Sequence, residues 1–275
     1  MEMNDRMNTY YPSMTKSEQK VARCVRDNPD NIIYFSVTEL ADFAGTGETT
    51  VMRFCRKIGF KGYQDFKLML AQELPKRQNQ LDGEQGEDDY ADHLYASMVG
   101  VLQSSLGMLD RSQLEQAVKC LDTARHVQFF GVGSSGITAL DAKNRFLRIG
   151  RRAEANSDSH IQSMMAVTMG EGDVAFGISV SGSTLDTNDM LMKAKQNGAK
   201  VIAMTNYAKS PIASIADILL LTAGKESPLE GGSVGAKISQ LFIIDLLCQG
   251  LEREHGEETK KMKELTARAV IDRIY

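Results

Sequence analysis

Two short stretches rich in glycine and hydroxyl residues hold the chemistry of this 275-residue chain. GVGSSG at 131–136 follows the apolar run VQFF and precedes a helical pattern. Gly131, Gly133 and Gly136 have the spacing of a loop that cradles a dinucleotide pyrophosphate. Glu154 lies 23 positions past Gly131, about where a ribose-binding acid is expected. That motif alone is weak, because a tight strand-to-helix turn uses the same glycines, and a nucleotide loop has no need of Ser134 and Ser135. A second stretch, SVSGSTLDT at 179–187, decides between the readings. Ser179, Ser181, Ser183 and Thr184 crowd the start of the next helix. Hydroxyls beside free N–H groups at a helix N-terminus form an anion site. A pyrophosphate already held at the first loop would leave this second site without a purpose. Two such turns suit one compact phosphorylated ligand.

The elements that position these turns follow an alternating pattern. Strands are predicted at 127–133, 151–156, 173–180, 199–206 and 216–222. Helices are predicted near 90–109, 112–124, 136–149, 159–170, 185–197 and 234–251, with a polar helix at the C-terminus. Strands alternating with helices imply a parallel sheet covered on both faces. In a doubly wound, flavodoxin-like sheet of order 2-1-3-4-5, the loops after strands one and three meet at the switch point. The two serine-bearing turns then share one cleft.

The first part of the chain is helical. TKSEQKVARCVRDNPD (15–30) puts Val21, Cys24 and Val25 on one face, and the apolar piece NIIYF follows. SVTELADFAG (36–45) opens with Ser36 and Glu39 at capping-box spacing, and buries Leu40, Phe43 and Val37. Gly45 closes it. In the next helix Val51, Phe54, Cys55 and Ile58 form an apolar stripe. Thr49, Thr50, Arg53, Arg56 and Lys57 are assigned to the opposite face, with Lys61, Tyr63 and Lys67 following. Residues 46–67 hold five basic side chains and two acidic ones, Glu48 and Asp65. Basic helix faces are common. Together with the cap, the glycine turn and the opposed stripe, this one reads as a helix-turn-helix facing DNA bases and phosphates.

QNQLDGEQGEDDY at 78–90 has five acidic residues, two glycines and no basic residue, and follows Pro75, which is expected to stop the preceding helix. The expected domains are therefore 1–77, a linker at 78–90, and 91–275.

Composition narrows the classes further. Apolar residues make up 42 % and charged residues 25 %, with a net charge of −4, an ordinary globular balance. Cys24, Cys55, Cys120 and Cys248 form no CxxC pair, so they read as buried reduced thiols and not as a zinc site. No metal or cofactor is expected. The N-terminus lacks the pattern of a signal peptide, and no unbroken run of about 18 apolar residues occurs. The expectation is a soluble, cytoplasmic protein.

Residues 14–74 resemble the helix-turn-helix of RpiR-type bacterial regulators, down to the turn made by Gly59, Phe60, Gly62 and Tyr63. Gly47 stands where that family more often has serine. Residues 90–255 resemble the SIS domain of phosphosugar isomerases and phosphosugar-binding proteins. The resemblance implies that Ser179, Ser181, Ser183 and Thr184 hold a phosphate and that Ser134 and Ser135 line the sugar side. It also implies that Ser159 and His160 border the cleft and that SPLEGGSVGAK (227–237) closes it. In place of the family's Ser-Arg pair before the long helix, the nearest basic residue is Lys237. DNA contacts are expected from Thr49, Thr50, Arg53, Arg56, Lys57 and Lys61. The whole reads as a regulator with operator DNA and a phosphorylated sugar as partners, and no membrane. It would be a homodimer or homotetramer, formed through the helices at 90–109 and 234–251. The alternative is a phosphosugar isomerase or lyase, with Glu226, Glu230 or His160 as its base.

Overall fold

The computed structural model of the chain describes residues 3–78, 90–224, 226–229 and 231–271, with the backbone alone at 75–78. It divides into two compact units, Met1–Ala96 with Lys225–Gly231, and Ser97–Gly224 with Gly232–Tyr275. Residues 79–89 of the expected acidic linker lie outside the described residues.

The first unit is helical: α1 (Met3–Tyr10), a 3-10 turn (Tyr11–Ser13), α2 (Lys16–Asp27), α3 (Pro29–Ile32), α4 (Val37–Phe43), α5 (Glu48–Lys57) and α6 (Tyr63–Gln78). Thr15 with Glu18, and Ser36 with Glu39, close the capping boxes that start α2 and α4. Both α4 and α5 end in paired turns: Thr46 N–H donates to Ala41, and Phe60 N–H to Cys55. Val51, Phe54, Cys55 and Ile58 are fully buried, as their spacing predicts. The Phe66 ring meets those of Phe54 and Phe60 edge-on and stacks on Tyr63.

Local departures have local causes. Phe43, expected in the core, is 51 % exposed and sits edge-on against Phe35. Helix α6 runs through Pro75 to Gln78 instead of stopping there. Three residues follow the proline, so the helix ends within one turn of it. Helix α1 buries Met3 and Met7, a pair too sparse to show as periodicity.

The other elements are α7 (Tyr90–Met108), α8 (Arg111–Asp122), β1 (His126–Phe130), α9 (Gly133–Arg148), β2 (Ala153–Ala155), α10 (Ser159–Thr168), β3 (Asp173–Ile178), α11 (Leu185–Gln196), β4 (Lys200–Thr205), α12 (Pro211–Ile215), β5 (Ile218–Leu221), α13 (Val234–Glu254) and α14 (Gly256–Ile271). The sheet is parallel throughout, in the order β2-β1-β3-β4-β5. Alternate residues fill its two faces. Val127, Phe129, Val174, Phe176, Ile202 and Met204 pack with α8, α9 and α13. Phe130, Ala175, Val201 and Ala203 pack with α10, α11 and α12. Helix α13 is, among the described residues, the one helix long and apolar enough to cross a membrane. Its Ile243, Ile244, Leu247 and Leu251 are fully buried against the sheet, which accounts for that composition. Of the four cysteines, Cys55 and Cys248 are buried, and burial pushes both thiols up to about 12. Cys24 and Cys120 are only half-buried.

Candidate functional site

Strands β1 and β3 are neighbours, and their register ends with Phe130 opposite Gly177. From that shared edge β1 leads to α9 on one face of the sheet, and β3 leads to α11 on the other. The chain therefore splits between them, and the turns at 131–135 and 179–184 leave side by side.

The N-termini of these two helices, like that of the five-residue α12, lack the side-chain cap that others in the unit have. Helices α8, α10 and α13 are capped by the side chains of Asp110, Asp158 and Ser233. Helix α9 follows Val132 and α11 follows Thr184, and neither residue supplies a side-chain cap. Their first-turn N–H groups are thus left for another acceptor, at the positive end of each helix dipole. An anion between them meets both requirements.

The first turn is built for closeness. A Cβ on Gly131 would lie 3.0 Å from the Ser135 carbonyl, and one on Gly136 would lie 3.0 Å from the Gly131 oxygen. Gly131 and Gly136 serve this backbone contact, and Gly133, with open space around it, supplies a φ of +57°, so the three glycines meet the needs of a tight strand-to-helix turn. Glu154, the candidate ribose acid, is exposed and ion-paired with Lys143 at 3.3 Å. Ser134 is half-exposed, whereas Ser135 is largely buried.

The second turn holds itself in shape. The Ser179 hydroxyl is buried, accepts from Gly182 N–H at 3.1 Å and lies 3.0 Å from Thr184 Oγ1. Ser181 Oγ accepts from Ser183 N–H at 3.2 Å. Asn188 Nδ2 donates to the Gly182 carbonyl at 3.2 Å. Ser181, Ser183 and Thr184 remain half-exposed. Ser183 Oγ donates to the Ser181 carbonyl at 3.3 Å, so all four hydroxyls bond within the turn; Ser179 is buried in it, and the other three are partly open to solvent.

Around the cleft, Gly232 lies against the Ser134 side chain, so that a Cβ on it would come within 3.3 Å. Lys237 Nζ donates to the Ser134 carbonyl across a long 3.5 Å. The start of α13 therefore sits on the first turn and brings one cation to it. His160 is exposed in the first turn of α10. The Asp158 carboxylate already accepts from Ile161 N–H there, which disfavours an anion at that helix end. Glu226 is half-buried, and Glu230 lies outside the described residues. Gln162 was not among the residues picked from the sequence. Its amide is wholly buried and bonds both Gly131 N–H and Gly131 C=O, at 3.1 and 3.0 Å. Its spacing on α10 is that of an ordinary core position, so only the structure distinguishes it. Asp173, held below its usual range by hydrogen bonds from Arg125, lies at the opposite end of β3. It ties the fold together, away from the cleft.

On α5, Thr49, Arg53 and Arg56 are exposed, as is Lys61 beyond it. The Arg53 and Arg56 side chains make no hydrogen bond or ion pair among the described residues. Thr50, expected on the same face, is buried. It stands four residues before Phe54 and so shares that residue's inward stripe. Lys57 is half-covered: its Nζ lies 2.6 Å from the Glu18 carboxylate and 3.0 Å from the Ser13 carbonyl. Burial raises Glu18, but the bonds from Lys57 and Thr15 outweigh it and leave this acid below its ordinary range. Tyr63 and Lys67, expected to touch a DNA backbone, are buried and reach the Phe35 carbonyl at 3.0 and 2.8 Å. Burial pushes Lys67 down to about 8. Of the residues expected to contact DNA, Thr49, Arg53, Arg56 and Lys61 are thus the exposed ones.

Comparison with known proteins agrees with both halves. A model of the helix-turn-helix domain of the rpiR family matches residues 1–77, and a SIS domain model matches residues 121–249. The chain is 38 % identical to an uncharacterised HTH-type transcriptional regulator of Haemophilus influenzae, covering 98 % of this chain and 96 % of that one. It is 32 % identical to the HTH-type transcriptional regulator HexR of Escherichia coli, over 99 % and 97 % of the two chains. The structure of the Vibrio vulnificus NanR protein complexed with ManNAc-6P aligns with a TM-score of 0.90 at 30 % identity, over 98 % of each chain. This chain belongs to the RpiR family of helix-turn-helix transcriptional regulators, with a SIS domain following the DNA-binding one.

Proposed function

We propose that this transcriptional regulator is controlled by a sugar phosphate held between the N-termini of α9 and α11. The observation that carries the reading is the pair of helix starts without side-chain caps, placed at the switch point and lined by hydroxyls. In it, Ser181, Ser183 and Thr184 take the phosphate with the α11 amides, and Ser179 keeps their turn in place. Ser134 and Ser135 face the sugar, and His160 borders the cleft. The NanR neighbour is complexed with ManNAc-6P, an amino-sugar phosphate, which makes that class the first to try. Residues 1–77 then form the DNA-binding domain, 78–90 a linker and 91–275 the effector domain.

Control requires that the sugar phosphate bind one arrangement of the protein better than another, and by linkage DNA then alters its affinity in return. The protein acts in the cytoplasm as a homodimer or homotetramer. Helix α7 supports association: Leu94 is 52 % exposed, Tyr95 70 % and Leu106 50 % on one helix. An apolar helix bared to this extent has an unmet partner. Helix α13 directs eight residues into its own unit and offers less. Two relatives that match nearly the whole chain are named transcriptional regulators, which favours this reading over an isomerase or lyase.

A thermal-shift screen of sugar phosphates tests the effector reading. A true ligand at 100 times its Kd stabilises the protein by roughly 2.7 kcal/mol. A panel of amino-sugar, hexose and pentose phosphates without any shift would remove the effector.

A further inference from the structure

We infer that Gln162 is a positioning residue for the effector cleft: its buried amide clamps the Gly131 backbone and thereby fixes the first turn of α9, which carries Ser134 and Ser135. The inference rests on the sugar-phosphate reading above.

The geometry runs through one peptide. The β1–β3 ladder ends at Phe130, so Gly131 is the first residue beyond the sheet on that strand. It is buried, and a buried N–H or C=O needs a partner. Gln162 Oε1 accepts from Gly131 N–H at 3.1 Å, and Gln162 Nε2 donates to Gly131 C=O at 3.0 Å. Gly131 in turn stands hard against Ser135 and Gly136, with no room for a single methyl. A shift of Gly131 therefore moves the N-terminus of α9 directly. The clamp comes from α10, whose first turn carries Ser159 and His160. One side chain thus sets the distance between two walls of the cleft.

The residue type matters. A primary amide presents one donor and one acceptor side by side, which matches the N–H and C=O of a single residue. A carboxylate offers acceptors only and repels the Gly131 carbonyl. A protonated carboxyl again offers one of each. Gln162→Glu therefore converts the clamp into one that acid restores.

The test measures Kd for ManNAc-6P and for inorganic phosphate by calorimetry, with wild type, Gln162→Glu and Gln162→Met, near pH 8 and near pH 5. Melting temperatures are recorded alongside, and binding is measured well below them. The titration of the phosphate itself cancels in the ratio of variant to wild-type Kd. That ratio for Gln162→Glu is expected to be about tenfold near pH 8 and to fall to within about twofold near pH 5, as suits one buried hydrogen bond lost and regained. For Gln162→Met it is expected to stay raised at both. A Gln162→Glu ratio that does not change with pH, or a Gln162→Met protein that binds like wild type with a lowered melting temperature, overturns the inference and leaves a merely structural amide. If wild type binds neither probe nor any member of the panel of amino-sugar, hexose and pentose phosphates, the sugar-phosphate reading itself fails, and this inference fails with it.

Discussion

Arg53→Ala weakens binding to a specific operator by about 1–3 kcal/mol, the loss expected for an arginine that reads a base edge. Arg53 is exposed in the middle of α5, on the side away from the buried Val51, Phe54, Cys55 and Ile58. Its side chain has no partner within the described protein, so removing it leaves the domain fold intact. The loss should fall on the selected operator and hardly at all on a shuffled sequence. Arg56→Ala, in contrast, should weaken both and lower the salt slope by about one. Anisotropy titrations with operator fragments selected from random DNA check both outcomes. Binding of Arg53→Ala within twofold of wild type would take α5 out of the groove.

Gly182→Val abolishes the sugar-phosphate response and destabilises the protein by about 2–5 kcal/mol, the sum of two independent costs. Gly182 has φ +62°, a conformation that β-branched residues avoid. A Cβ there would also lie 2.3 Å from Ser210 Oγ, 2.6 Å from Ser210 Cβ and 2.9 Å from Ile212 Cγ2. Ser210 has little freedom to yield, being buried and bonded to the Tyr207 carbonyl at 2.8 Å. The turn must open, and with it the bonds that Gly182 makes to Ser179 and Asn188. Denaturant melts with and without sugar phosphate measure both effects. An unchanged midpoint together with a full ligand shift would show that the turn tolerates the change and has been given the wrong role.

The sequence disclosed most where residue type and period coincide. The alternation of strands and helices predicts a parallel sheet, and the structure has one, in the doubly wound order expected for it, β2-β1-β3-β4-β5. The cap at Ser36 and the stripe through α5 follow from spacing alone. What stayed hidden depends on which neighbour a side chain meets. Thr50 and Lys57 lie near the edge between the inner and outer faces of α5, and only Phe54 below and Glu18 beside them decide the outcome. Tyr63 and Lys67 carry polar groups that reach inward to one carbonyl, that of Phe35, a long-range choice no local pattern reports. At the cleft, four hydroxyls in six residues marked the turn proposed to take the phosphate. That Ser179 is buried within the turn while the other three stay partly open depends on bonds to Gly182 and Thr184 that the spacing does not report. Gln162 gave no signal, because a buried glutamine on a helix looks like any core position until its partner is seen.

The most direct test titrates a selected operator with wild type and with Ser181→Ala, each with and without the sugar phosphate that shifts the melting curve. Among the described residues Ser181 Oγ supports only the Ser183 N–H, at 3.2 Å, so its loss should spare the fold. Wild type should change its operator affinity about fivefold or more when the sugar phosphate is added, within the usual range of allosteric coupling. Ser181→Ala should bind the operator equally well and respond little or not at all. A Ser181→Ala protein that responds as wild type does would contradict the claim that these turns hold the phosphate.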